Sequence, residues 1–326
     1  MKKTKAVRSI VHLCVILVLV LAILYSGLRI LESTVLHSGQ DGADTTSKTL
    51  LRDGVEYFPR QDITTVLLIG VDEFGPVQDS GSYTNTGAAD VNILLIFDET
   101  NCVVNVLHLN RDTMVKMPAL GLGGKPAGTY YGQLALSHTY GSGLEDSCEN
   151  TVKTVSDFLY GIPIDYYVAM NMDVIAIMND AVGGVTVQVT DDFSAIDPTI
   201  SMGEVTLVGE QATHFIRARN LGDKLNTSRM NRHQAYVQGF LAALRTTQDE
   251  GMTTLLDAYD QAQPYLVTNC STNALSGMMD RFVDFPLGEM VAPAGENVLG
   301  QTYYEFYVDE QALDDLILRL LYAPKK

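Results

Sequence analysis

The chain is poor in positive charge. Its 326 residues carry 22 Lys and Arg against 39 Asp and Glu, a formal net charge of −17. Lys2, Lys3, Lys5 and Arg8 crowd into the first nine residues, where there is no acid, so the remainder is more acidic still. Such a body is a poor general ligand for nucleic acid, because duplex affinity comes mainly from neutralising phosphates. Nor does it suit lying flat on an anionic membrane surface. Cysteine is also scarce: there are four residues, with no CxxC pair and no zinc-ligand spacing. No Gly-Lys-Ser/Thr opens a helix, so the Gly-rich stretch Leu120 to Gly132 reads as a flexible loop rather than a Walker-type phosphate cradle. Repeats and low-complexity blocks are missing too, which leaves one folded unit beyond the N-terminal region.

One long apolar run is present, over residues 10–31. Spanning a bilayer takes roughly 20 such residues. The basic residues precede the run, so the N-terminus is expected in the cytoplasm and the rest outside. The competing reading is a cleaved signal peptide, but no small-x-small site follows Tyr25. The expected organisation is a basic tail (1–9), a single transmembrane helix (10–31), a polar linker (32–61) and one domain (62–326). Three cysteines then lie in a compartment that permits disulfides, and at most one pair can form. Cys102 heads an expected strand and reads as core, which leaves Cys148 with Cys270 as the candidate bridge.

Hydrophobic patterning gives the fold class. Thr64 to Val71 is a continuous apolar run, as in a strand buried on both faces, and Asp72 follows it at once. A carboxylate there is a common catalytic or metal position and equally a common turn residue. Val91 to Phe97 and Val103 to Leu109 form two strands with a short connection, hence an antiparallel hairpin. Asp90 opens the first strand, and Asn110, Arg111 and Asp112 close the second, so those ends lie side by side. A structural salt bridge accounts for this nearly as well as a site does. Helices are expected over Glu149 to Leu159, Met172 to Ala181 and Asp309 to Leu321, with strands at Tyr166 to Met170 and Val185 to Val189. The fold class is therefore α/β (α+β): a mixed central β-sheet flanked by helices.

Positive charge returns in one place. Five of the Lys and Arg residues fall between Arg217 and Arg232. Asn226 to Ser228 supply N-cap side chains ahead of an apolar-periodic run, so a helix is expected from near Ser228 to about Gln248. Arg229 and Arg232 stand in or just after its first turn, where cations oppose the helix dipole. Two arginines beside free backbone N–H groups suit a phosphate. Arg217 and Arg219 lie just upstream. The alternative is a solvated basic helix face.

These residues together resemble the LytR–CpsA–Psr family of cell-wall glycopolymer ligases. The ordered pieces are Gly70-x-Asp72, the Asp90 hairpin leading to Arg111-Asp112-Thr113, Tyr166-Tyr167 with Gly183 to Val185, and the block Arg217, Arg219, Arg229, Arg232 and Gln234. The resemblance implies transfer of a glycopolymer such as teichoic acid or capsule from a polyprenyl-pyrophosphate carrier to peptidoglycan, in a Gram-positive type of envelope. It implies magnesium (or manganese) on Asp72 and Asp90. Pyrophosphate would be bound by Arg111, Arg217, Arg219, Arg229, Arg232 and Gln234, with Asp223 or Asp112 orienting the acceptor hydroxyl. The lipid would need an apolar groove, for which Met170, Met172, Ile175, Ile177 and Met178 are candidates, ordinary core being their other reading. The sequence departs from the family pattern at Ala88, Asn110, Gln133 and His233, where the family usually has Arg, Pro, Lys and Gln. A polyprenyl pyrophosphatase and a non-catalytic polyprenyl-phosphate or cell-wall binding protein are the alternatives.

Overall fold

A computed structural model of the chain describes residues 49–121, 124–218, 226–246, 257–258, 260–271, 274, 277–278, 281–282 and 285–325. The proposed membrane span (10–31), Arg219 and Asp223 lie outside them. Among the described residues no helix is long and apolar enough to cross a membrane.

The strands, in chain order, begin with β1 (Leu50–Arg52), β2 (Val55–Pro59), β3 (Ile63–Val71), β4 (Ala89–Asp98) and β5 (Val103–Leu109). The hairpin β6 (Met114–Leu120) and β7 (Pro126–Gln133) follows, then helix α1 (Glu145–Phe158), β8 (Tyr166–Met170), α2 (Asp173–Ala181) and β9 (Val185–Val189). After β10 (Gly203–Leu207) come α3 (Glu210–Arg217) and α4 (Asn226–Thr246). The chain closes with β11 (Leu266–Thr268), β12 (Leu287–Val291), β13 (Gly295–Leu299), β14 (Tyr304–Val308), α5 (Glu310–Leu320) and β15 (Tyr322–Pro324).

Six strands form the central sheet in the order β11-β8-β3-β4-β5-β12. β3, β4 and β5 are antiparallel neighbours, whereas β8 joins β3 and β12 joins β5 in parallel, so the sheet is mixed as the sequence implies. Alternate residues of each strand enter different cores, the consequence of a two-residue strand period. Val66, Ile93 and Val168 pack with α2, α3 and α4 on one face; Leu67, Leu94 and Tyr167 pack with α1 and α5 on the other. Gly70 brings the ends of β3 and β4 close together. A Cβ there would lie 2.8 Å from Val91 Cβ, so only glycine fits at this spacing.

Four local expectations change. Leu50 to Pro59, within the span read as linker, forms β1 and β2, and β2 also pairs with the C-terminal β15. Arg60 secures this edge with two 2.7 Å hydrogen bonds to Asp98. Leu120 to Gly132, read as a flexible loop, is largely strand β7 in register with β6, because the ladder tolerates glycine where cross-strand pairing supplies the order. The Cys148–Cys270 bridge is not formed. Cys148 is a buried free thiol on α1, in the core on one face of the sheet, and Cys270 belongs to the core on the other. Cys102 is exposed rather than core: it sits in the turn before β5 with φ of 52°, so its side chain does not follow the strand's inward alternation.

Candidate active site

The β4–β5 hairpin does what its connectivity requires. Asn92 pairs with Leu109, so Asp90 and Arg111 project from adjacent strand ends. The Asp90 side chain is fully enclosed. Its Oδ1 accepts a hydrogen bond from Arg111 Nη1, and its Oδ2 lies 2.8 Å from Arg229 Nη2. Arg229 comes from the first turn of α4 and is itself only 5% exposed at the side chain. A cation there opposes the helix dipole, and the Asp90 carboxylate supplies the negative charge that position favours.

Asp72 stands beside Asp90. The backbone N–H groups of both residues donate to the one carbonyl of Ala88, at 3.0 and 2.9 Å. Asp72 Oδ1 accepts a 2.8 Å hydrogen bond from Arg217 Nη2 at the C-terminal end of α3. The Arg217 guanidinium also lies 4.9 Å from the centroid of the Phe74 ring. Three guanidinium groups drawn from separate elements are thus gathered over two neighbouring carboxylates. Arg111 Nε also lies 3.4 Å from Asp112 Oδ1. Gln133 donates to that same Asp112 oxygen at 2.9 Å and to the Tyr304 carbonyl at 2.9 Å, so a neutral amide stands where the family pattern has a cation.

Arg232 goes elsewhere. It is buried, pairs with Asp191 at 2.7 Å, and donates from Nε to the Phe215 carbonyl at 3.0 Å and from Nη2 to the Ala218 carbonyl. Three residues from Arg229 along the helix, it reaches a different set of partners and braces the end of α3 that carries Arg217. Gln234 is half-buried on α4. Arg219 and Asp223 lie outside the described residues.

Two residues of the floor have no role in a site on sequence grounds: His108 belongs to none of the motifs, and His233 is noted only as a departure from the family pattern. His108 of β5 and His233 of α4 stack with ring centroids 5.7 Å apart, and both are buried. Burial, reinforced by the Arg229 charge, pushes the His108 pKa down to about 4 and that of His233 well below its usual value. Both rings are therefore neutral near pH 7 and add no charge beneath the arginines. His233 Nε2 lies 3.2 Å from the Ile216 carbonyl. The available signal was a histidine on strand β5, directly before the arginine-bearing turn.

Below this layer is an apolar cavity of about 220 Å³ between the sheet and helices α2 and α4. Gly70, Val91, Ile216 and His233 form the part of its wall next to the charged cluster. Met170, Met172, Ile175 and Met178 line it as the groove reading expects, whereas Ile177 is only half-buried against the core. An apolar cavity thus opens beside a cluster of guanidinium and carboxylate groups, an arrangement suited to a ligand with an anionic head and a hydrocarbon tail.

The model of the LytR-CpsA-Psr family matches residues 32–319. The chain belongs to this family. Among its relatives is TagU of Bacillus subtilis (strain 168), named a polyisoprenyl-teichoic acid–peptidoglycan teichoic acid transferase. It is 26% identical over 283 residues, covering 85% of this chain and 83% of TagU. The identically named protein of Oceanobacillus iheyensis is 29% identical over 186 residues, 56% of this chain and 52% of that protein. The LytR-CpsA-Psr fold is also seen in solved structures. B. subtilis TagV superposes with a TM-score of 0.61 at 22% identity, covering 80% of this chain and 96% of TagV. TagT bound to LI-WTA gives 0.59 at 23% identity, covering 80% and 90%.

Proposed function

We propose that this protein is a membrane-anchored phosphotransferase acting outside the cytoplasm, which moves a glycopolymer from a polyprenyl-pyrophosphate carrier to peptidoglycan. The observation that carries this reading is the convergence of Arg111, Arg229 and Arg217 on two adjacent carboxylates at the wall of an apolar cavity. A diphosphate diester offers oxygens that guanidinium groups grip in pairs. Phosphoryl transfer asks a protein for positioning and charge neutralisation more than for covalent work. The cavity would hold the polyprenyl chain nearest the diphosphate. The polymer is teichoic acid, as in the names of the relatives, or another wall polymer such as capsule.

The reaction joins the oxygen of an acceptor hydroxyl to the phosphorus that bears the glycopolymer. The bond from that phosphorus to the bridging oxygen breaks, polyprenyl monophosphate leaves with the bond's electron pair, and the hydroxyl proton passes to a base. Arg111, Arg217 and Arg229 draw charge from the diphosphate oxygens, and Arg219 joins them by its place in the sequence motif. Arg232 holds the end of α3 and so positions Arg217. Asp112, fixed by Gln133, and Asp223 are the candidates to orient the acceptor. Among the described residues no group of three or more His, Cys, Asp or Glu gathers around one point. Two neighbouring carboxylates suit magnesium, which keeps waters and shares substrate oxygens, better than an ion needing a full protein cage. Asp72 and Asp90 would hold it, and it would neutralise charge on the diphosphate. The anchor is the apolar run 10–31, with the N-terminus in the cytoplasm and the domain in the envelope of a Gram-positive type of cell.

The test is to incubate the full chain with a polyprenyl-diphosphate-linked saccharide, with and without a peptidoglycan glycan acceptor. The expected result is acceptor-dependent release of polyprenyl monophosphate with the saccharide phosphate joined to the glycan. Equal release without acceptor would make the protein a pyrophosphatase, and binding without magnesium-dependent turnover would make it a binding protein.

A further inference from the structure

A second cavity, of about 480 Å³, lies next to the charged cluster and shares Met170 and Asn171 with the wall of the apolar one. Its volume is within the range of about 300–1,000 Å³ usual for small-molecule sites. The chemistry of its lining is different. Val71, Glu73 and Phe74 line it, and the Arg217 guanidinium lies 4.9 Å from the centroid of that Phe74 ring, so the cavity is separated from the Asp72–Arg217 pair by the phenyl ring. None of the described residues that line it is Lys or Arg, and its one carboxylate is Glu73. A phosphate or a polyanionic polymer would find no counter-charge there. The polar groups are instead hydroxyls and amides.

The loop from Gly75 to Gly87 that builds this cavity is tied down rather than loose. Asn85 donates to the carbonyls of His138 and Gly141 and to Ser147 Oγ, at 2.8, 3.0 and 3.0 Å. Val77 N–H donates to the Pro264 carbonyl at 2.8 Å, and Gly75 N–H to Asp173 at 2.8 Å. Thr86 donates to Glu73. Much of the loop is exposed, and two of the residues lining the cavity there can meet a ligand with a ring face and an amide. Phe74 is 53% exposed although Arg217 covers part of its ring, and Gln78 is an exposed residue. An exposed aromatic ring beside hydroxyls, amides and one carboxylate, without a cation, matches a pyranose. A pyranose presents apolar C–H faces to a ring and hydroxyl edges to donors and acceptors.

We propose that this cavity is a saccharide subsite for an uncharged sugar, with Phe74 as its stacking surface and Gln78 at its rim. The proposal rests on the phosphotransferase reading for which sugar occupies it. Two sources offer the same chemistry: the sugar that the carrier diphosphate bears, or a sugar of the glycan that accepts the polymer. Phe74, which lines the cavity and carries Arg217 on its ring, puts either sugar next to the diphosphate that Arg217 would bind.

The experiment uses the full chain in detergent and three probes: chitotetraose, polyprenyl diphosphate, and polyprenyl diphosphate bearing one N-acetylglucosamine. Affinities are measured for the wild type, Phe74→Ala and Gln78→Trp. Because Phe74 touches Arg217, Gln78→Trp is the deciding variant: it crowds the cavity from a rim position with no contact to the arginines. The expected result is a loss of at least tenfold in affinity for one sugar probe, with polyprenyl diphosphate held within twofold. Loss for chitotetraose assigns the cavity to the acceptor, and loss for the sugar-bearing diphosphate assigns it to the donor. Unchanged affinity for both sugar probes in Gln78→Trp overturns the subsite, and so does an equal loss for the sugarless diphosphate. Failure of the wild type to bind polyprenyl diphosphate at all would sink the phosphotransferase reading instead, while leaving the chitotetraose result interpretable.

Discussion

Asp90→Asn separates what the arginine cluster does for the fold from what it does for a ligand. The wild-type carboxylate is enclosed between Arg111 and Arg229, whose side chains are 16% and 5% exposed. Breaking a buried pair by removing one partner costs about 3–5 kcal/mol. Arg111 keeps some exposure and a neighbour in Asp112, so the lower end, about 3 kcal/mol, is the better figure. At about 2–4 °C per kcal/mol for a chain of this size, the variant should melt about 6–12 °C below wild type. A diphosphate replaces the missing charge. In wild type it must compete with Asp90 for the same guanidinium nitrogens, and in the variant it need not. A ligand at 100 times its Kd stabilises by about 2.7 kcal/mol, and any gain in affinity adds to that. Thermal unfolding in chelator, with and without polyprenyl diphosphate, should therefore show a larger ligand-induced rise in Tm for Asp90→Asn than for wild type. The reasoning is refuted if the variant melts within about 2 °C of wild type, or if the diphosphate raises its Tm no more than the wild type's.

Arg217→Ala gives the opposite balance. Its pair with Asp72 is 41% and 22% exposed, and such pairs contribute at most about 1 kcal/mol, so Tm should hold while polymer transfer falls at least a hundredfold in the coupled assay. The two floor histidines make stability depend on acidity. Their folded-state pKa values lie below the unfolded value of about 6.5, so the unfolded chain binds more protons and stability is lost as pH falls from 6.5 towards 4. His108 alone accounts for about 2 kcal/mol by pH 5, at about 1.4 kcal/mol per pH unit. Urea midpoints at pH 7 and pH 5 should draw closer together in His108→Phe, and an unchanged difference would count against neutral stacking. Alkylation of unfolded, unreduced protein should modify Cys148 completely, whereas native protein should be modified first at the exposed Cys102.

What could be read from the sequence followed from connectivity. The Asp90–Arg111 contact joins residues 21 apart across a short hairpin, and antiparallel pairing leaves little freedom in where its ends lie. Gly183 and Gly184, just past the end of α2, adopt positive φ values of 77° and 95° that turn the chain into β9. The Arg217–Asp72 contact spans 145 residues and depends on how α3 settles against the sheet, so only the family motif pointed to it. Helical spacing put Arg229 and Arg232 on one face, but long side chains choose partners by local charge and carbonyl supply. One found Asp90; the other found Asp191 and the end of α3. Leu50 to Pro59 was illegible for a different reason. Its strands are short and partly exposed, and their partner β15 is at the far end of the chain.

The acidity of the chain, which first argued against anionic ligands, has a use at this site. A cluster of arginines facing water with no counter-charge would repel itself and bind any passing anion. Here each of Arg111, Arg229 and Arg217 has a carboxylate partner, held on strand ends that the Gly70 contact keeps close together. On the proposed function, binding a diphosphate would be an exchange of anions rather than a neutralisation. A monoanionic phosphate has too little charge to displace two carboxylates, whereas a diphosphate carrying a lipid adds burial of its chain in the adjoining cavity. On that reading, selectivity for the lipid-linked form would arise from that sum: the charged layer would set a threshold, and the apolar cavity beside it would supply the free energy to cross it.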